Sequence, residues 1–89
     1  MAILMTADVA GQTEEGYRGM LDALEGALKQ APGFMLHAAH PVEGGWRVIE
    51  VWRSKAESDA FYAQHVAPKL PPGIRPKRST QELGSLAVA

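Results

Sequence analysis

Residues Ile3 to Val9 alternate: Ile3, Met5, Ala7 and Val9 fall on one side of an extended chain, and Leu4, Thr6 and Asp8 on the other. Alternation with period two predicts a strand, here over residues 2–9, with one wholly apolar face and one mixed face. The period then changes. Tyr17, Met20, Leu21, Leu24 and Leu28 recur at helical spacing and predict an amphipathic helix with one broad apolar stripe. Thr13 suits its N-cap, Glu14 and Glu15 complement the dipole of its first turn, and Ala31-Pro32-Gly33 stops it. Phe34 to Val42 reads as a second strand and Gly45 to Arg53 as a third, with Glu43-Gly44-Gly45 supplying turn chemistry between them. Ser54-Lys55-Ala56-Glu57 is a capping box. It opens a second helix through Ala60, Phe61, Ala63, Val66 and Ala67, which kinks or ends at Pro68. Four prolines and a glycine fill the connection from Pro68 to Pro76, and a weakly patterned fourth strand falls between Arg75 and Val88.

The order βαββαβ predicts an α+β, ferredoxin-like domain in which two helices cover one face of a four-stranded antiparallel sheet. The third strand is the most informative. One face carries Trp46, Val48, Glu50 and Trp52, the other Arg47, Ile49, Val51 and Arg53. An even-numbered hairpin loop puts odd residues of strand two on the face of even residues of strand three. A four-residue loop, Val42 to Gly45, sets His37 opposite Glu50 and Met35 opposite Trp52. A two-residue Gly44-Gly45 loop shifts the partners by two and keeps the faces, whereas an odd loop reverses them. With an even loop, Phe34, Leu36, Ala38, Ile49 and Val51 form the apolar core set expected beneath the helices. Leu4, Met35, Val48 and Trp52 are then left as an apolar patch on the far face. A patch of that kind signals association, and a two-fold homodimer burying sheet against sheet closes it most simply.

Composition narrows the picture. Eighty-nine residues make one domain, 1–89, with a modest core. The hydrophobic fraction of 46% and charged fraction of 21% are those of a globular chain. A net charge of −1 argues against nucleic acid or an anionic membrane as partner. With no cysteine, neither disulfides nor thiolate metal sites arise, which fits a cytoplasmic protein. The apolar start has no basic leader and nothing approaches a membrane span.

The strand and helix patterns, with Gly45-Trp46-Arg47-Val48, Val51-Trp52-Arg53-Ser54 and Phe61-Tyr62 followed by His65-Val66-Ala67-Pro68-Lys69-Leu70, resemble the antibiotic biosynthesis monooxygenase-like proteins of the dimeric α+β barrel superfamily. The resemblance runs from Ala2 to about Leu83. It implies a homodimer joined through the sheet face. It also implies a small oxidoreductase of secondary metabolism that oxidises an aromatic or polyketide-like molecule with no bound cofactor. Other readings are a non-catalytic dimeric binding or accessory protein and, third, haem binding or degradation. Quinone-forming members of that family use an asparagine with tryptophan, tyrosine and arginine, and haem-degrading members use a first-strand asparagine and a second-helix histidine. This chain has no asparagine.

In a cofactor-free oxygenase the substrate itself gives an electron to oxygen, so the protein needs a dry aromatic cavity and a base. His37 and Glu50 are the candidate acid/base pair, because a buried carboxylate needs a partner and imidazole ordinarily titrates near neutral pH. The same pair would equally serve to fix strand register. Trp52 and Trp46 are the candidate aromatic walls, or simply packing. Tyr62 and His65, three apart on the second helix, are candidate substrate contacts reaching a cleft between helix and sheet. His37 and His40 point to opposite faces of a regular strand, and three histidines without cysteine leave no expected metal site. Arg75, Lys77 and Arg78 read as solvated charge, or as a seat for an anionic substrate group.

Overall fold

In the computed structural model, which describes all 89 residues, strand β1 (Ile3–Ala10) is the axis of the fold. Helix α1 (Glu14–Gln30) follows it, then the hairpin of β2 (Phe34–Val42) and β3 (Gly45–Trp52). Helix α2 (Lys55–Phe61) runs on through a π-helical turn (Tyr62–Val66) and a 3₁₀ turn (Ala67–Lys69), before β4 (Lys77–Glu82). The sheet order is β2-β3-β1-β4, and every neighbouring pair is antiparallel. This is the ferredoxin-like α+β arrangement that the pattern predicts. The caps are also where the residues put them. Thr13 Oγ1 accepts the Gly16 N–H, and Ser54 Oγ accepts the Glu57 N–H.

The two faces of the sheet are the reverse of the sequence-based expectation. The core joins Ile3, Met5 and Ala7 of β1 to Trp52, Leu28 of α1 and Phe61 of α2. Trp52 is 0% exposed. Its ring meets Phe34 edge-on at 5.5 Å and Phe61 at 5.6 Å. Trp46, Val48, Glu50 and Trp52 therefore face the helices, and Ile49 and Val51 lie on the opposite, outer face. The cause is the β1–β3 register. Ile3 pairs with Trp52, Met5 with Glu50, Ala7 with Val48 and Val9 with Trp46. The wholly apolar face of β1 must go inward, and it carries its β3 partners with it. Leu4 pairs with Val51 and belongs to the outer face, not beside Trp52.

The hairpin keeps the even register. His37 stands opposite Glu50, and pairing continues to Val42 and Gly45, leaving Glu43-Gly44 as the loop. Gly45 is required at its position, since a Cβ there would lie 2.3 Å from the Val9 carbonyl oxygen. The strand does not stay regular to its start. Phe34 opposes Trp52 and Leu36 opposes Val51, so Met35 is squeezed out as a bulge and is half exposed. The expected Met35–Trp52 pairing is thus replaced by Phe34–Trp52. On β4, Arg78 opposes Ala7, which aims it to the helix side, while Lys77 and Arg75 stay exposed.

Candidate functional site

The helices do not close completely on the sheet. Between α1, α2 and the inner sheet face lies a cleft of about 110 Å³, partly open to solvent. An apolar cavity of about 150 Å³ can hold a benzene ring, so the scale is that of one aromatic ring, with the opening free for substituents. Fourteen of its twenty lining residues are hydrophobic, which makes the few polar groups in it informative.

Three of those residues, with Trp52 beneath them, form one chain of hydrogen bonds. Tyr17 Oη lies 2.7 Å from His37 Nε2, and His37 Nδ1 lies 2.7 Å from Glu50 Oε2. The Trp52 indole N–H donates to Glu50 Oε1 at 2.9 Å. Glu50 is only 8% exposed, and both of its oxygens are engaged. The chemistry fixes the polarity of this chain. An ionised carboxylate only accepts, so His37 Nδ1 carries a hydrogen, and in the neutral imidazole Nε2 is left to accept from the Tyr17 hydroxyl. Burial, reinforced by the negative charge of Glu50, pushes the Tyr17 hydroxyl above its ordinary value, so it remains a donor at neutral pH. Tyr17 is held by stacking as well, 5.3 Å from Trp46 and 6.0 Å from His37 between ring centroids. A proton taken up at the Tyr17 oxygen can displace its own proton to His37, leaving an imidazolium against Glu50. That is a proton relay ending at an apolar cleft.

The other end of the cleft is cationic. The Arg78 guanidinium lies 4.5 Å from the centroid of the Tyr62 ring. Its Nη1 donates to Asp59 at 3.1 Å and its Nη2 to Ser58 at 3.0 Å. Asp59 also accepts from Lys55 at 2.5 Å, and Lys55, then Arg78, hold its carboxyl below the usual carboxylate range.

The candidates read from sequence divide. His37, Glu50, Trp46 and Tyr62 all border the cleft. Trp52 lies beneath it, tethering Glu50, and does not wall it. His65 points away into a separate hollow beside Ala31 and Pro32, with its ring 4.9 Å from Phe61. No group of three or more His, Asp and Glu residues converges as a metal site. Two further residues border the cleft. The sequence places Tyr17 only in the apolar stripe of α1, and it reads Arg78 with Arg75 and Lys77 as solvated charge or a seat for an anionic group; of the three only Arg78 reaches the cleft. A tyrosine opening an otherwise aliphatic stripe was the available signal for the first. For the second it was the alternation of β4, which sends Arg78 inward and its neighbours Lys77 and Ser79 outward.

No protein-family model matches the sequence, and no curated protein is similar to it at a significant level. Solved structures do resemble it. A point mutant of MhuD with two manganese protoporphyrins per active site superposes with a TM-score of 0.66 at 17% identity, over 100% of both chains. MhuD from Mycobacterium tuberculosis, a haem degrader with two haems in its active site, gives 0.60 at 19%, again over 100% of both. A proposed antibiotic biosynthesis monooxygenase from Bacillus cereus gives 0.55 at 16%, over 99% of this chain and 95% of that one. At these identities the likeness is one of fold.

Proposed function

We propose that this chain is a small oxygenase-like enzyme that uses the Tyr17–His37–Glu50 relay to deprotonate an aromatic or polyketide-like substrate in the cleft. The hydrogen-bonded relay at the wall of an apolar cavity carries this reading. Deprotonation at a phenol or an activated CH₂ group makes an electron-rich anion. That anion can give an electron to dioxygen directly, so the protein supplies a base, a dry wall and orientation. The fold shared with the Bacillus cereus protein favours the same class.

The partner in this proposal is a second copy of the chain, docked on the outer sheet face. Leu4, Leu36, Ala38 and Ile49, packed around the buried Val51, make that face aliphatic, and Leu36 is 39% exposed. This is the reverse of the surface inferred from sequence, although the mode of assembly is the same.

The similarity to porphyrin-bound structures makes haem a second candidate ligand. The residues here do not fit axial ligation. The one histidine in the cleft has both nitrogens engaged, and His65 lies outside it. Oxygen uptake with a panel of hydroxylated aromatics and anthrone-type polyketides tests the enzyme reading, with haemin titration in parallel. Oxygen consumption that Glu50→Gln abolishes is the expected result. No uptake with any of the panel would leave a binding protein, and a Soret shift that His65→Ala removes would favour haem.

A further inference from the structure

Two residues bordering the cleft each carry an N–H with no acceptor. Trp46 Nε1 and Arg78 Nε are both buried from solvent, and neither meets an oxygen. Buried donors without partners are uncommon in folded proteins because each has given up water for nothing. Here two occur in one small cleft.

Their positions on the sheet are complementary. Trp46 stands on β3 opposite Val9, and Arg78 on β4 opposite Ala7. Strand β1 runs between them, so strand spacing and a two-residue offset put their Cα atoms roughly 12 Å apart. Ala7, with its small side chain, lies on the floor between. The two ends also differ in charge. Arg78 is the one cation that lines the cleft, and Asp59, its carboxylate partner, is shared with the exposed Lys55. Its Nη1 and Nη2 are committed to Asp59 and Ser58, so the guanidinium is fixed and its Nε–H remains to be satisfied. Trp46 is stacked on Tyr17, so its free N–H belongs to the relay end.

We propose that the cleft takes a planar aromatic acid. A carboxylate oxygen of the ligand accepts from Arg78 Nε. A hydroxyl or carbonyl oxygen across the ring accepts from Trp46 Nε1, beside Tyr17 and His37. The proposal rests on the same cleft as the enzymatic reading and names its substrate class. The carboxylate gives the unpartnered Arg78 Nε–H a charged acceptor, and Trp46 stabilises the oxygen on which charge grows when the relay removes a proton.

Calorimetric titration of the intact protein with 4-hydroxybenzoate, its methyl ester and benzoate tests this. The acid is expected to bind at least about tenfold more tightly than the ester, and benzoate several-fold more weakly than 4-hydroxybenzoate. Arg78→Met should erase the difference between acid and ester. Trp46→Phe, which keeps an aromatic ring there and removes the N–H, should erase the difference between 4-hydroxybenzoate and benzoate. Equal affinity of the unaltered protein for acid and ester, or no binding of any of the three, would overturn the proposal without any variant having to fold. Oxygen uptake on neutral phenols with no acid preference would sink this inference and leave the enzymatic reading. Acid-selective binding without oxygen uptake would do the opposite.

Discussion

The inner and outer faces of this sheet differ in a way that inverts a common expectation. The outer face is the more uniformly aliphatic around β3, with Ile49 and Val51 flanked by Leu4, Leu36 and Ala38. The inner face carries a carboxylate, an imidazole and a guanidinium, and yet the inner face is the core side. Aliphatic purity does not identify a core. What the helices need beneath them is volume, and Trp52 with Phe34 and Phe61 supplies it. The polar groups are tolerated there because nearly every one is hydrogen-bonded. The charged groups of the outer face, Asp8 and Arg47 among them, are about half exposed and pair with each other beside the aliphatic patch.

Substitutions on the two faces should therefore fail differently. Trp52→Ala should do most damage, removing a wholly buried indole at a cost of about 3–5 kcal/mol. Chemical denaturation would show this as a large fall in midpoint, and an unchanged midpoint would refute the placement of the core. Glu50→Gln comes next. It leaves the His37 N–H and the Trp52 N–H without a charged acceptor, at a cost of about 1–3 kcal/mol, and should abolish turnover while circular dichroism stays native. Tyr17→Phe should cost about 1 kcal/mol for the lost hydrogen bond to His37. It also has a pH signature. Because the Tyr17 hydroxyl is raised above its ordinary value of 10.0, the unfolded chain releases that proton first. The stability it contributes is complete below that value and is lost as pH climbs from there through the higher value of the folded state. The phenylalanine variant should lack this part of the alkaline decline in melting temperature. Ile49→Lys on the outer face should disturb the fold of the subunit least, yet turn the proposed dimer into a monomer of half the mass by analytical ultracentrifugation. A variant that unfolds before it dissociates would break the contrast between the faces.

Much of this was legible in the residues. The alternation of β1, the stripe and cap of α1, the capping box at Ser54 and the even hairpin register each rest on local chemistry that tertiary contacts did not override. The meeting of His37 with Glu50 followed from counting across the loop. The face assignment did not follow, because it depends on how β1 pairs with β3, which are separated by a helix and a strand. The wholly apolar face of β1 held the answer, but nothing local in β3 pointed to it. Met35 escaped because a bulge changes register without a glycine or proline to announce it. Tyr17 looked like a core residue because a helical stripe shows that a side chain is covered, not what its hydroxyl meets. Tyr62 and His65 share a face on α-helical spacing, which the π-helical turn does not keep.

That turn has a consequence for how such a protein could change over generations. Between Tyr62 and Val66 the backbone bonds skip five residues, and the Ala67 N–H reaches the Tyr62 carbonyl. One residue more or fewer in an α-helix rotates everything after it by about 100°. Losing a single codon from this segment would restore ordinary winding and turn Val66 and the 3₁₀ turn relative to the cleft. The proline-rich stretch ahead of β4 offers slack to absorb the change. The dimensions of the cleft are thus open to heredity in steps of one amino acid, without any alteration to the relay on its floor.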